Sequence, residues 1–239
     1  MKKYLPIILF IVGLGVVTAV FFIFKGKGDV DDEDTSALIE VSLEDRPIAK
    51  LTPSEDGHWL KLIIEKLEVE AASLDYELLY KLPDGRTQGV PGTIKLTGQK
   101  DIERDLLLGS ESSGKFRYDE GVENGTLTLR YRNEKGKLLA RFTTEFALLS
   151  GTKTLASVDE KFEAKLSKSS GDFFVVMETF GIPDEISASI EAGPYGVFNS
   201  SGDDLAGTVK MSGSEFRWDG TKWTSSFSYA TGIFIGTSE

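Results

Sequence analysis

The chain has 239 residues, with 27 Lys and Arg against 38 Asp and Glu, and no cysteine. The missing cysteine excludes disulfides, lipid acylation at a Cys, thiolate metal sites and Cys nucleophiles together. Four bases fall in the first 28 residues with no acid among them, so the remainder carries 23 bases against 38 acids, a formal −15. Such a body has no electrostatic footprint for nucleic acid and is repelled by anionic headgroups.

Leu5–Phe24 is twenty residues without a charge, bracketed by Lys2 and Lys3 before it and Lys25 and Lys27 after it. At about 1.5 Å per residue it makes a helix about 30 Å long, the thickness of a bilayer's hydrocarbon core. The run is longer than the apolar core of a cleaved signal peptide, and Gly26-Lys27-Gly28 is a poor cleavage site. The expectation is an uncleaved single-pass anchor, residues 5–24, with a cytoplasmic tail 1–4 and the rest of the chain outside the cell membrane. Residues 25–36 form an acidic juxtamembrane linker. Its Asp29–Asp34 stretch, DVDDED, lacks the glycine that turns a calcium loop and reads as a self-repelling spacer.

From Ala37 the pattern is β. Ala37–Leu43 alternates, and Pro47 and Pro53 punctuate the next ten residues. His58–Val69 fits either a helical face or a buried strand, and the strand agrees with its surroundings. Tyr76, Leu78, Tyr80 and Leu82 share one face. Pro83-Asp84-Gly85 predicts a turn and Gly89-Val90-Pro91-Gly92 a second. Ile102–Leu108 alternates again. Leu127, Leu129 and Tyr131 return through Asn133–Gly136 to Leu138, Ala140, Phe142, Phe146 and Leu148, a hairpin.

Six or seven strands between residues 37 and 150, spaced by Gly, Pro and Asp turns, resemble the pattern of an immunoglobulin-like or fibronectin-III-like β-sandwich. The resemblance is one of architecture and implies no activity. Residues 151–239 form a second, smaller β domain or additional strands on the same body. There Phe162, Ala164 and Leu166 alternate, and Phe173–Met177 is a continuous apolar run that predicts a strand covered on both faces. Gly181–Asp184 turns, Ile186–Ala192 alternates, Gly193–Gly196 and Asn199–Asp204 are loops, and Phe227–Ile235 closes the chain.

Chemistry-bearing motifs are few. His58 is the only histidine, sits in a turn after Glu55-Asp56-Gly57, and has no G-x-S-x-G partner, so it reads as a surface residue. Gly109–Gly114 is a polar turn and not a phosphate-cradling loop. Carboxylate pairs for hydrolysis cannot be nominated among 38 acids. No catalytic residue, cofactor or metal site is implied. The best-defined local signal is Trp218-Asp219-Gly220-Thr221-Lys222-Trp223, a hairpin that puts Phe216, Trp218 and Trp223 on one face. Those rings either cover the second core or contact a partner or a sugar. The sequence therefore predicts a membrane-anchored, non-enzymatic binding, adhesion or scaffolding module of the cell envelope. Its partners would be the bilayer, through residues 5–24, and an envelope protein or glycan, not nucleic acid. The alternatives are a polysaccharide hydrolase and a glycan-binding module built on the Trp218/Trp223 hairpin.

Overall fold

The computed structural model describes residues 38–238, and all the strands belong to one unit, Ile39–Glu239. The tail 1–4, the anchor 5–24 and the linker 25–36 lie outside the described residues. Among the described residues no helix is long and apolar enough to cross a membrane.

The body is all-β. Its frame is an antiparallel sheet of nine strands. From the first part of the chain come β3 (Ser73–Lys81), β4 (Thr87–Lys95), β8 (Asn124–Arg132) and β9 (Leu138–Ser150). From beyond Gly151 come β12 (Phe173–Glu178), β13 (Ile190–Asn199), β15 (Ser214–Trp218), β16 (Trp223–Thr224) and β17 (Gly232–Thr237). The order β16-β15-β17-β13-β12-β9-β8-β3-β4 runs unbroken across Ser150, because β12 pairs with the second half of β9. Strands from both sides of the expected boundary thus share one sheet, wider than either sheet of an immunoglobulin-like sandwich.

Two three-stranded sheets complete the sandwich, one of β1 (Ile48–Pro53), β2 (Trp59–Glu65) and β5 (Asp101–Leu107), the other of β10 (Thr154–Ala156), β11 (Glu163–Leu166) and β14 (Gly207–Lys210). They cover opposite faces of the frame. Strand β12 shows this directly: Val175 and Met177 join the core with Leu60, Leu62 and Leu129, while Phe174 and Val176 join Leu155, Phe162 and Phe234. The apolar run at 173–177 is therefore a strand buried on both faces, as predicted. The strand reading of 59–65 and the hairpin of β8 and β9 also hold.

Five local expectations are corrected. Of the stretch Ala37–Leu43, read as strand, the described residues 38–43 form none: Leu43–Asp45 is a 3-10 turn, and the Ile39 N–H donates to Leu139 O at 2.8 Å. Gly89–Gly92 does not turn but lies within β4, opposite Leu79 to Tyr76. Strand β4 is the sheet edge, where proline's missing N–H is tolerated. Gly92 is needed there for space, since a Cβ would come 2.2 Å from the Tyr76 ring. Gly193-Pro194 is not a loop either but an irregularity inside β13, where the register shifts between Ala192 and Tyr195. Ile186–Ser189, read as strand, lies before β13, and the last strand starts at Gly232 rather than Phe227.

Candidate functional site

The sequence 109–114 is half of a projecting arm. Among the described residues, strands β6 (Gly109–Ser112) and β7 (Lys115–Tyr118) pair only with each other, around a turn whose Ser113 and Gly114 both take positive φ. Phe116 and Tyr118, two apart on β7, share a face and keep 46% and 37% of their surface exposed. Their rings are near-parallel, with centroids 6.2 Å apart. The Trp59 ring meets Phe116 edge-on at 5.5 Å, and the His58 imidazole stacks on Tyr118 at 4.3 Å. Aromatic contacts from the start of β2 pin the arm at its root.

His58 is therefore half-buried, which corrects its reading as a free surface residue. Each imidazole nitrogen faces a carboxylate. Nε2 lies 3.3 Å from Glu120 Oε1, and Nδ1 lies 3.2 Å from Asp56 Oδ2, off the line of a hydrogen bond. Burial alone lowers the imidazole pKa, but the Asp56 and Glu120 carboxylates outweigh it and hold it above the ordinary value. Asp56 is pulled down to about 2 by the Ser54 hydroxyl, the His58 backbone N–H and the imidazole. Beside the ring opens a cleft of about 350 Å³ whose lining includes Asp119, Glu120, Glu123 and Phe173. The buried Tyr80 phenol donates to Asp119 Oδ2 at 2.9 Å and holds that lining carboxylate in place.

A second concave region lies on the face of the frame left open between the 39–46 segment and the 157–159 loop. It comprises two adjoining clefts, about 360 and 210 Å³, that share Thr143 and Glu178. Arg46 and Arg141 line the larger, Asp159 and Tyr195 the smaller. Glu178 is exposed at its tip. The walls still remove enough water, with Asp159 adding repulsion, to raise its carboxyl pKa. Asp159 moves the other way. Burial opposes its ionisation, but the Ser157 hydroxyl (2.5 Å), the Tyr195 phenol (2.8 Å) and the Lys161 N–H (3.2 Å) bond the charged form and win. Among the described residues, no group of three or more His, Cys, Asp or Glu is placed to hold a metal ion.

The tryptophan hairpin forms as the sequence implies. Trp218 pairs with Trp223 across a loop in which Asp219 Oδ1 caps the Thr221 and Lys222 N–H groups. Phe216, Trp218 and Trp223 are all half-buried. The two indoles meet edge to face, 5.5 Å apart at 64°, and Trp223 Nε1 donates to Asp184 O at 2.8 Å. The pair closes on itself and on the 181–189 segment instead of lying coplanar as a stacking platform.

Sequence reasoning did not find Phe116, Tyr118, Arg46, Arg141 or Glu178. The alternation Lys-Phe-Arg-Tyr at 115–118 was the available signal for the arm. Arg46 and Arg141 are joined only by the fold. No family model matches this chain, and no curated protein or solved structure matches it either.

Proposed function

We propose that this chain is a membrane-tethered envelope protein whose strand-built body binds a partner without performing chemistry, and that the β6–β7 arm makes the contact. One observation carries the reading. Among the described residues the arm's strands pair only with each other, beside two exposed rings. Unpaired edges and exposed aromatics are what protein recognition uses. The tether is the apolar run 5–24, and the acidic linker sets the body away from an anionic surface.

Because the chain contains no cysteine, single-Cys variants give unique crosslinking handles. Ser112→Cys on the arm should yield one discrete adduct in intact cells, and Phe116→Ala or Tyr118→Ala should remove it. Equal labelling from Ser225→Cys, on the far hairpin, would sink the reading. The address is tested separately: the chain should resist alkaline extraction from membranes, and its body should be degraded by protease added outside cells.

A second reading, polysaccharide hydrolysis, is favoured by one feature. Glu178 and Asp159 share a cleft and are shifted in opposite directions, the pattern of an acid and a base set apart by their surroundings. Glu178→Gln should then cut release of reducing ends from wall polysaccharide by about 100-fold. No release from the unaltered chain removes this reading.

A further inference from the structure

We propose that the partner in the arm's contact is a second copy of this chain, the two arms lying antiparallel so that the basic tip of each meets the acidic root of the other. This names the partner for the arm and rests on the reading of the arm as the contact.

Charge is divided along the arm. Lys115 sits next to the turn at the tip, and Arg117 follows two residues down β7. Alternation along a strand puts both on the side opposite Phe116 and Tyr118. Their cross-strand neighbours there are Ser112 and Ser110, while Glu111 lies across from Phe116 on the ring side. That face therefore holds two cations and no acid. Lys115 and Arg117 are exposed and form no ion pair among the described residues, although the chain beyond residue 28 is formally −15.

The root is the reverse. The cleft of about 350 Å³ beside His58 is lined by Asp56, Asp119, Glu120 and Glu123 and by no Lys or Arg. Asp56 and Glu120 keep 56% and 83% of their side-chain surface exposed. One imidazole is thus the only basic group set against four carboxylates. Leu148 and Phe173 add apolar wall. A lysine or arginine suits such a lining, with its stem on the apolar surface and its head among the carboxylates. The arm does not serve its own cleft, because its ring side packs on Trp59 and His58 and its bases are on the other side.

A two-fold rotation supplies the match. Laid side by side in opposite directions, two arms of about 13 Å bring the tip of each to the root of the other, and both contacts form at once. Such a contact is isologous, so assembly stops at two chains. At physiological ionic strength charges act over about 8 Å, so the local match outweighs the distant repulsion between two acidic bodies. The exposed rings of Phe116 and Tyr118 supply apolar area. An unrelated basic protein would satisfy only the cleft, and an acidic one only the bases. A second copy satisfies both.

The test uses the full-length chain in detergent micelles at about 0.15 M salt, carrying either of two tags, and reads how much of one tag co-purifies with the other. Unaltered copies should co-purify. Reversing the arm, Lys115→Glu with Arg117→Glu, should weaken that association about tenfold or more, and so should reversing the root, Glu120→Lys with Glu123→Lys. Mixed together, the two reversed chains should associate as the unaltered chain does, since each arm again faces a cleft of opposite sign. Lys222→Glu, on the tryptophan hairpin, should change nothing. Should a reversed chain lose its urea transition, Lys115→Gln with Arg117→Gln replaces it and should weaken association about threefold. No co-purification of the unaltered chain, or no recovery in the mixture, overturns the proposal. The Ser112→Cys adduct separates it from the arm reading. An adduct of two copies supports both; an adduct with another protein keeps the arm as the contact and overturns the second copy; no adduct overturns both.

Discussion

The two cores differ less in their apolar content than in how they handle polar groups. The core under β1, β2 and β5 is built mainly from aliphatics in alternation, with Leu60, Leu62 and Ile64 in one cluster with Leu74, Leu78, Leu127 and Leu129, and with Tyr80, Tyr131, Phe146 and Phe180 among them. The core under β10, β11 and β14 is smaller and more aromatic, stacking Phe162 on Tyr195 at 5.1 Å with Phe234 beside them. Around the second core, polar side chains are tied down. Tyr195 donates to Asp159, and the buried Arg217 donates to Thr231 O at 2.8 Å, pairs with Asp204 and lies over the Tyr229 ring. A small core surrounded by loops depends on such bonds, whereas a large one tolerates a defect.

Because β12 belongs to both cores, the strongest way to break the comparison is to empty one core and watch the other. Phe146→Ala in the first and Phe162→Ala in the second, each at most 1% exposed, should each cost about 3–5 kcal/mol. Each should shift one shared urea transition seen by both fluorescence and circular dichroism. Two separate transitions would mean that the shared strand does not couple the cores.

Next in size is Arg217. Its replacement by Met keeps the length but leaves Thr231 O and Asp204 without their donor, at an expected cost of about 1–3 kcal/mol. Arg130→Met on the open face breaks a half-exposed pair with Glu77 and should cost about 0–1 kcal/mol. Equal losses from the two, measured by urea midpoint, would show that burial is not what separates them.

The legibility of the sequence follows the same divide. Around the first core, period-two alternation and Asn-Glu-Lys-Gly-type turns gave the strands and the β8–β9 hairpin directly. Misreadings clustered where glycine and proline serve packing instead of turning, as at Gly92 beneath Tyr76 and at Gly193-Pro194 in β13. The arm was hidden because Gly-Ser-Glu-Ser-Ser-Gly has no apolar alternation of its own. The clefts that share Thr143 and Glu178 were invisible for a different reason. They lie where β12 stops pairing with β9, a length difference between strands that no local pattern encodes.

The arm's root should respond to pH. The folded imidazole of His58 sits above its ordinary pKa, so its stabilisation is complete below about 6.5 and is lost as pH rises through the raised folded value. Glu120 is mostly solvated, so the effect should stay below about 1 kcal/mol. Amide exchange in β6 and β7, corrected for intrinsic rates, should be a few-fold faster at pH 8.5 than at pH 6. His58→Gln should abolish that difference.

The finest contrast compares two buried tyrosines. Tyr195 is 2% exposed and donates to Asp159 at 2.8 Å; Tyr131 is fully buried, edge-on to Phe142, and its hydroxyl has no partner among the described residues. Removing a bonded hydroxyl forfeits the bond and strands its acceptor, so Tyr195→Phe should cost about 1 kcal/mol. Removing an unbonded one forfeits nothing and relieves a desolvated oxygen, so Tyr131→Phe should be neutral or stabilising by up to about 1 kcal/mol. Urea midpoints at constant m-value decide it. If Tyr131→Phe costs as much as Tyr195→Phe, a buried water satisfies the Tyr131 hydroxyl, and the first core is as dependent on polar bonding as the second.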